Sequence, residues 1–335
     1  MDSLIWVLLA VVLVALAFDY VNGFHDAANA IATVVSTRAL SPRSALVLAG
    51  ALNFAGAFAF TGVARTMGKG LVQEGAVSHQ EIILAALIGA IAWNLLTWWW
   101  GLPSSSSHAL VGGLVGAVCF HAGWDAVKWG GIFHKVVVPG ILSPVIGLAV
   151  GFLVMAGLLW LVCKANPFRI NKRFKVLQVL SASMMAFSHG TNDAQKVMGI
   201  ITLALVSAQL QTSFEPPIWV KFACALMIAL GTAAGGWRII KTMGSKMVKL
   251  QPIHGFAAET TAATVLMGTS YLGFPVSTTH VISAAIMGVG ATRRISAVRW
   301  GVAGNIMMAW ILTIPAAALM GGLALLVVRL LSPGF

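Results

Sequence analysis

The chain has 335 residues, of which 59% are hydrophobic and only 9% are charged. Soluble domains carry roughly 25% charged residues, so this composition leaves too little polar surface for a soluble globular protein. The formal net charge of +12 comes mostly from basic residues beside apolar stretches. Such placement indicates orientation in a membrane rather than binding of nucleic acid. The three cysteines lie far apart and form no CxxC pair, which argues against disulfides or a zinc site.

Ten apolar segments follow one another along the chain, and a helix needs about 20 apolar residues to cross a bilayer. They run near 4–36, 44–64, 82–100, 108–122 and 137–163, and then near 177–207, 218–240, 255–272, 278–292 and 300–330. The first has no Lys or Arg before it and no small-residue cleavage site, so we expect a transmembrane helix rather than a signal peptide. The pattern predicts an all-α polytopic membrane protein with about 10–12 transmembrane segments.

The basic residues predict how the chain is oriented. If the N-terminus is outside, 14 of the 21 Lys and Arg residues fall in inner loops and six fall outside. Only Lys196 is then left inside a segment. Positive charge prefers the cytoplasmic side, so both termini are predicted outside. The basic stretch 164–176 becomes a cytoplasmic linker between a first transmembrane repeat at 1–163 and a second at 177–335.

The two halves of the chain resemble each other in two motifs. GFHDAANAI at 23–31 matches GTNDAQKVM at 190–198, which aligns Asp26 with Asp193. LPSSSSHALVGGLVG at 102–116 matches FPVSTTHVISAAIMG at 274–288, which aligns His108 with His280. Five segments in each half would invert the second copy in the membrane. Inverted repeats with discontinuous helices are typical of secondary transporters, which bind their substrate near the membrane midplane.

The first motif pair carries charge into apolar segments, where an isolated charge is costly. Asp26 and Asp193 either bind a transported ion or pair with other side chains to hold helices together, and their symmetric placement favours a function. Asn22, Asp26 and Asn29 offer oxygen ligands that suit a small cation or a proton relay. Gly23 precedes this cluster, and we expect the helix to unwind there.

The second copy of this motif differs from the first at one position. Asn192 and Asp193 persist, but Lys196 replaces Asn29. The Lys196 ammonium can occupy the space of a bound cation, neutralise Asp193 or touch an anion directly. Gly190, like Gly23, is expected to mark an unwound stretch.

The second motif pair places hydroxyl groups where helices are expected to begin. Proline is favoured at helix starts, and Ser or Thr caps them. A helix N-terminus offers free N–H groups and partial positive charge to an anion. Two such termini would bind a tetrahedral oxyanion from two sides. The alternative is that the hydroxyl groups only cap the helix N-termini. The hydroxyl residues concerned are Ser104, Ser105, Ser106, Ser107, Ser277, Thr278 and Thr279.

Other interior polar residues leave two interpretations open. His108 and His280 are either structural or handle protons or the anion. Asp19 is either a structural pairing residue or a functional one, and Glu259 lies near the start of its segment. His25 and His189 border the Asp motifs without matching each other in the alignment.

At these motifs the sequence resembles the Pit family of inorganic phosphate transporters over nearly its whole length. The family's Gly-x-Asn-Asp core stands as GTND at 190–193, while the first copy reads GFHD with His25 in place of Asn. The resemblance implies low-affinity phosphate uptake driven by sodium or protons, and a homodimer. Glu259 matches an acidic position near the family's substrate path. Members with QK, as at 195–196, resemble proton-coupled carriers that accept a metal–phosphate complex, whereas sodium-coupled members tend to have Asn at the position of Lys196.

We therefore predict a symporter in a bacterial inner membrane that imports inorganic phosphate with a cation, H⁺ in preference to Na⁺, by alternating access. It is predicted to be no enzyme, to need no cofactor, and to form a homodimer. The predicted phosphate-binding residues are Ser104, Ser105, Ser106, Ser107, Asn29, Asn192, Lys196, Ser277, Thr278 and Thr279. The predicted cation-coupling residues are Asp26, Asp193, Asn22 and Glu259, with Asp26, Asp193 and Asn29 as ligands if sodium is the coupling ion.

Several alternatives remain at this point. A sulfate permease would use the same hydroxyl-rich helix starts, and a neutral metal–phosphate complex would use the same acidic residues. An intramembrane enzyme is disfavoured because no GxSxG or HExxH motif occurs. A channel is disfavoured because inverted repeats with half-helices favour alternating access.

Overall fold

The computed structural model describes residues 2–77 and 79–331, and gives only the backbone of residues 2–4 and Glu74. Residues 332–335 of the predicted second repeat therefore lie outside the described residues. Thirteen α-helices occupy the described ranges. They are α1 Asp2–Ser36, α2 Pro42–Gly56, α3 Gly62–Lys69, α4 Gln80–Trp100, α5 Ser106–Ala122, α6 Trp129–Ile132, α7 Val138–Leu161, α8 Pro167–Ser207, α9 Ile218–Ala234, α10 Trp237–Lys241, α11 Pro252–Tyr271, α12 Thr278–Ala291 and α13 Trp300–Leu331.

Several of these helices have the length and apolar composition of membrane spans. Four spans qualify in the described part of the chain: Ile5–Ser36, Gln80–Trp100, Trp129–Leu161 and Trp300–Leu331. The third joins α6 to α7 through a π-helical stretch. A fifth span results if α9 and the stretch Trp237–Lys246, which meet at a 59° bend, cross together. The protein is thus an all-helical, multi-pass membrane protein.

Besides the bend between α9 and α10 within the predicted segment 218–240, the boundaries differ from the sequence prediction at two places. The apolar segment 44–64 is not one helix, because α2 ends at Gly56 and α3 begins at Gly62. Most of the predicted linker 164–176 is helical, since α8 already begins at Pro167. Asn166 caps this start, its side-chain oxygen accepting the Phe168 N–H at 2.9 Å, and proline suits the first helical position.

The prediction that helices unwind at Gly23 and Gly190 is wrong, because α1 and α8 run through both positions without a break. Both glycines instead allow close helix packing. A Cβ atom on Gly23 would lie 2.5 Å from the Ile228 carbonyl oxygen of α9, and one on Gly190 would lie 2.2 Å from the Asn53 carbonyl oxygen of α2. The discontinuities of the interior lie elsewhere, at residues 101–105 and 272–277.

The two halves use corresponding elements in corresponding places. Helix α1 packs against α9 of the second half, and α8 packs against α2 of the first. Likewise α5 packs against α13, and α12 packs against α7. Two isolated antiparallel bridges also correspond, Val72 with Val127 and Val248 with Val298. Val72 precedes α4 and Val127 follows α5, just as Val248 precedes α11 and Val298 follows α12.

A polar interior separates two buried apolar clusters. Along α1, the first cluster includes Val11 and Phe18, and the second resumes at Ala28. Along α8 the order is reversed, with the second cluster before Ser188 and the first beginning at Ala194. The residues between the clusters on both helices carry the two Asp motifs. The fold therefore brings these motifs together near the middle of the two longest helices.

Candidate functional site

The two hydroxyl-rich stretches form the N-termini of α5 and α12, as their proline and serine residues predict. Ser105 caps α5 by accepting the His108 N–H at 3.1 Å, and Ser277 caps α12 by accepting the His280 N–H at 3.3 Å. A glycine with positive φ precedes each start, Gly101 at 67° and Gly273 at 76°. All seven predicted hydroxyl residues are buried, none more than 4% exposed. Two helix starts with partial positive charge thus face the interior.

The first Asp motif reaches the start of α12 in the other half. The Asn29 side-chain amide donates to Thr278 Oγ1 at 3.1 Å and to Thr279 Oγ1 at 2.9 Å. Thr279 in turn donates to Asp26 Oδ1 at 3.4 Å. Residues almost 250 positions apart in sequence therefore form one hydrogen-bonded cluster.

The second Asp motif makes the reciprocal connection to the first half. The Lys196 ammonium donates to Asp193, to Ser107 Oγ of α5, and to the Val276 carbonyl at 2.9 Å. Thr278 donates to the other oxygen of Asp193 at 3.1 Å. Lys196 is only 1% exposed, so its charge is neutralised within the cluster.

Two histidines adjoin the Asp carboxylates, although the sequence analysis gave them no role. His25 Nδ1 lies 2.7 Å from Asp26 Oδ1, and His25 Nε2 lies 3.1 Å from Thr97 Oγ1. His189 Nε2 lies 3.1 Å from Asp193 Oδ2. Position alone could have indicated His189, which precedes Asp193 by one helical turn. Thr97 stands apart from both motifs and gave no signal.

Asp26, His189 and Asp193 also approach one another closely. Each places a potential ligand atom within 4.8 Å of those of the other two. Carboxylate oxygens and an imidazole nitrogen at such distances can hold a metal cation or share a proton. The two predicted cation-coupling aspartates therefore lie in the same place as the predicted anion-binding hydroxyls.

Other predicted residues lie apart from this cluster. Glu259 accepts hydrogen bonds from Thr33, Ser181 and, at 3.1 Å, Gln178. Thr33 lies seven residues beyond Asp26 on α1, a rise of about 10 Å. Glu259 therefore belongs to a second polar cluster, along α1 from the Asp26–Asp193 cluster.

The remaining two asparagines contribute less to the cluster than expected. The Asn192 amide donates to Ser270 Oγ of α11 at 2.9 Å, and its carbonyl oxygen has no partner among the described residues. The Asn22 carbonyl oxygen likewise has no partner among them. Both oxygens are buried and available to a ligand.

His108 and His280 pack behind the two helix starts. Their rings meet edge to face with centroids 4.9 Å apart, and His280 stacks on Trp310 at 4.1 Å. They line an apolar cavity of about 590 Å³ between α7 and α13. Neither contacts the Asp motifs, so this geometry fits a packing role better than direct anion binding.

The assembled cluster offers both signs of charge in a buried place inside a membrane protein. Hydroxyl groups, helix starts and one ammonium can bind an oxyanion, while carboxylates can bind a cation. Such a site between two similar halves defines a membrane carrier of small ions rather than an enzyme.

Comparison with known proteins agrees with this class. Residues 22–321 match the Phosphate transporter family, and the chain belongs to that family. It is 46% identical over 333 residues to a probable low-affinity inorganic phosphate transporter of Bacillus subtilis (strain 168), covering 99% of this chain and all of that one. It is 51% identical over 319 residues to a probable low-affinity inorganic phosphate transporter of Rhizobium meliloti (strain 1021), covering 94% and 95%.

A solved structure has the same architecture. The structure of a sodium-dependent phosphate transporter superposes with a TM-score of 0.89 at 26% identity, covering 97% of this chain and 99% of that one. The resemblance inferred from the motifs is confirmed. The protein is a transporter and not an enzyme, and phosphate is the substrate of its family.

Proposed function

We propose that the protein imports inorganic phosphate in symport with a cation, with H⁺ favoured over Na⁺. The observation that carries the choice of ion is the position of Lys196. Its ammonium lies between Asp193, Ser107 and the Val276 carbonyl. Three oxygens around one positive charge resemble the surroundings of a bound sodium ion. A carrier with a built-in charge there has less need of a metal cation.

Charge balance supports symport in general. The described interior contains one ammonium, Lys196, against the carboxylates of Asp19, Asp26, Asp193 and Glu259, apart from Glu81, which is paired with Arg329 at 3.5 Å. Phosphate adds one or two negative charges, and each helix start supplies only about half a positive charge. A cation must therefore accompany the anion into this site.

We infer that phosphate binds between the starts of α5 and α12. The hydroxyls of Ser104 to Ser107 and Ser277 to Thr279 are the proposed donors, together with Asn29, Asn192 and Lys196. Asp26 and Asp193 are proposed to bind or exchange the coupling cation, with Asn22 and Glu259 as further coupling residues. Asp26, Asp193 and Asn29 would be the ligands if the ion is sodium.

The transport cycle is proposed to be alternating access between inverted repeats, 1–163 and 177–335. The exchange of partners between halves, α1 with α9 and α8 with α2, supports this proposal. Rocking of one repeat against the other would expose the shared site to each side in turn. Both termini are proposed outside a bacterial inner membrane, and the protein is proposed to be a homodimer.

The test is uptake of radiolabelled phosphate into proteoliposomes, with a proton gradient and a sodium gradient imposed separately. Accumulation with the proton gradient alone supports Lys196 as a substitute for a sodium ion. A strict sodium requirement contradicts it and makes Asp26 and Asn29 sodium ligands. An excess of arsenate should compete with phosphate, whereas competition by sulfate would favour a sulfate permease.

A neutral metal–phosphate complex is the second candidate substrate. The approach of Asp26, His189 and Asp193 within 4.8 Å favours it, because these groups can bind a divalent metal. Removal of divalent metals with a chelator would then stop phosphate uptake. Uptake that persists in the chelator would exclude this candidate.

A further inference from the structure

A buried polar stripe runs along one face of α1 through the candidate site. Its members are spaced three or four residues apart, which keeps them on the same side of a helix. None of them is more than 2% exposed. The stripe consists of Asp19, Asn22, Asp26, Asn29 and Thr33. Asp26 and Asn29 lie at the proposed phosphate site, and Thr33 contacts Glu259. At the other end of the stripe, Asn22 is proposed only as a further coupling residue, and Asp19 has no assigned role.

Asp19 is unlike the other acidic residues of the interior. It is completely buried, and neither of its carboxylate oxygens has a hydrogen-bond partner among the described residues. The polar groups that face it are the Cys224 thiol of α9 and the Asn22 side chain, and neither makes a hydrogen bond of good geometry to it. The carbonyl oxygen of Asn22 also lacks a partner. A buried carboxylate without a partner is strongly unfavourable unless a positive charge or a proton accompanies it.

The other buried carboxylates described here have partners within the protein. Asp193 has Lys196 and His189. Asp26 has His25 at 2.7 Å. Glu259 accepts three hydrogen bonds from hydroxyl and amide groups. Glu81 is paired with Arg329 at 3.5 Å. Asp19 is thus the interior acid that the protein itself does not compensate.

Among the described residues, no charge on neighbouring helices is free to compensate Asp19. The charged groups acting on it are Asp193, which is repulsive, and Lys196, which is already bound to Asp193. The compensating charge must therefore come from outside the protein. In the proposed orientation, Asp19 lies on the outer side of Asp26, where an ion driven inward would arrive first.

We propose that Asp19, with the Asn22 carbonyl oxygen, binds the coupling cation about two helical turns from Asp26. This proposal rests on the proposed symport of phosphate. Both a proton and a sodium ion suit a carboxylate beside an amide oxygen. Asp26 and Asp193 serve phosphate as well as the cation, whereas Asp19 serves the cation alone and so links phosphate movement to the cation gradient.

The test separates exchange of phosphate from its accumulation. In proteoliposomes, wild-type protein and Asp19→Asn are compared in phosphate–phosphate exchange without a gradient, and in uphill uptake driven by a proton or a sodium gradient. We expect Asp19→Asn to exchange phosphate but to lose accumulation under whichever gradient drives the wild type. That gradient identifies the cation. Absence of exchange in the wild type would instead contradict the proposed function.

Two matched variants serve as controls, one for the loss of a carboxylate charge and one for the loss of a side chain that faces Asp19. Asp125→Asn removes the same charge at an exposed position, and Cys224→Ala removes the thiol that faces Asp19. Both should accumulate phosphate like the wild type. Wild-type accumulation by Asp19→Asn would overturn the proposal. So would parallel loss of exchange and accumulation in a correctly folded variant, because Asp19 would then belong to the phosphate site.

A second variant and a second measurement cover the case in which Asp19→Asn does not fold. Asp19→Glu keeps a carboxylate and should retain accumulation. In detergent, the pH change of a weakly buffered solution on phosphate addition reports proton binding, and sodium titration of phosphate affinity reports sodium binding. One of these linkages should be present in the wild type and retained by Asp19→Glu, but with its midpoint pH or sodium concentration shifted, because the longer side chain moves the carboxylate. Identical linkage in both proteins would contradict the proposal.

Discussion

The two Asp motifs occupy equivalent places on α1 and α8, but different groups lie beside the buried carboxylate in each. Asp26 lies against the imidazole of His25, and the amide of Asn29, one turn later, donates to hydroxyls of α12. Asp193 lies against the ammonium of Lys196, which occupies the position equivalent to Asn29. One half thus carries a fixed positive charge where the other carries a dipole.

A repeated framework therefore need not give two equal ion sites. The helix starts, their serine caps and the cross-half contacts occur twice with little change. Charge is distributed unequally, because the second half neutralises its own acid and the first half leaves its acids to titratable or external partners. The asymmetry provides a direction for experiments, since each change can be made in one half and its equivalent in the other.

The largest effect is expected from Asp26→Asn. Truncating one member of a buried, hydrogen-bonded charge pair costs about 2–5 kcal/mol, so uptake should fall by about 30-fold or more. The amide keeps the shape of the side chain, and the folded fraction should remain that of the wild type. Radiolabelled uptake and size-exclusion chromatography measure the two quantities. Full uptake by this variant would refute the assignment of Asp26 to the site.

A large effect on stability is expected from Gly190→Ala. The added methyl group would lie 2.2 Å from the Asn53 carbonyl oxygen, and overpacking of this kind costs about 1–3 kcal/mol. The equivalent Gly23→Ala meets the Ile228 carbonyl oxygen at 2.5 Å and should be slightly milder. Gly157→Ala of α7 has no neighbour within 4 Å and is the control. Thermal unfolding in detergent should rank the variants in this order, and equal stability of all three would contradict the packing role.

The sequence predicted the parts of the site that depend on local pattern. Apolar length located the helices, and Pro followed by Ser or Thr located the starts of α5 and α12, because capping is a local interaction. Internal similarity paired Asp26 with Asp193. It could not show that Asn29 contacts Thr278, because that contact depends on how helices from opposite halves cross.

The residues that were missed or misjudged depend on tertiary packing. His25 and His189 adjoin the carboxylates only because of the rotation of α1 and α8 about their axes. Gly23 and Gly190 were interpreted as breaks, since glycine permits both an unwound backbone and a close helix contact. Composition cannot distinguish these two uses of glycine. The positions of α9 and α2, which pack against Gly23 and Gly190, decide between them.

A moderate effect that tests the asymmetry directly is expected from Lys196→Asn. This change makes the second motif like the first by replacing the ammonium with an amide. Asp193 then needs an external cation, so proton-driven uptake should fall by about tenfold, equivalent to about 1.4 kcal/mol. Added sodium should restore part of the uptake. The measurement is phosphate uptake with and without a sodium gradient.

The control for this variant is Lys221→Asn, which removes a lysine paired at 3.5 Å with the half-buried Glu215. It should leave uptake and its ion dependence unchanged. If Lys196→Asn shows no sodium stimulation at any concentration, Lys196 does not stand in place of a cation. Its contact with Ser107 would then indicate a role toward phosphate alone.

The smallest effect is expected from Ser105→Ala and Ser277→Ala, which remove the caps of α5 and α12. Each serine hydroxyl is also a proposed hydrogen-bond donor to phosphate, and the loss of one such bond costs about 1 kcal/mol, so each variant should bind phosphate roughly fivefold more weakly. Ser41→Ala is the matched control, because Ser41 caps α2 in an exposed loop by accepting the Ser44 N–H at 3.2 Å. If capping mattered only for helix stability, all three variants would be destabilised alike and none would lose more uptake than its folded fraction predicts. If the helix starts bind the anion, the two interior variants should lose phosphate affinity while Ser41→Ala retains it. A loss in one interior variant only would mean that phosphate is held mainly by one half, and the asymmetry of Asn29 and Lys196 would then extend to the anion.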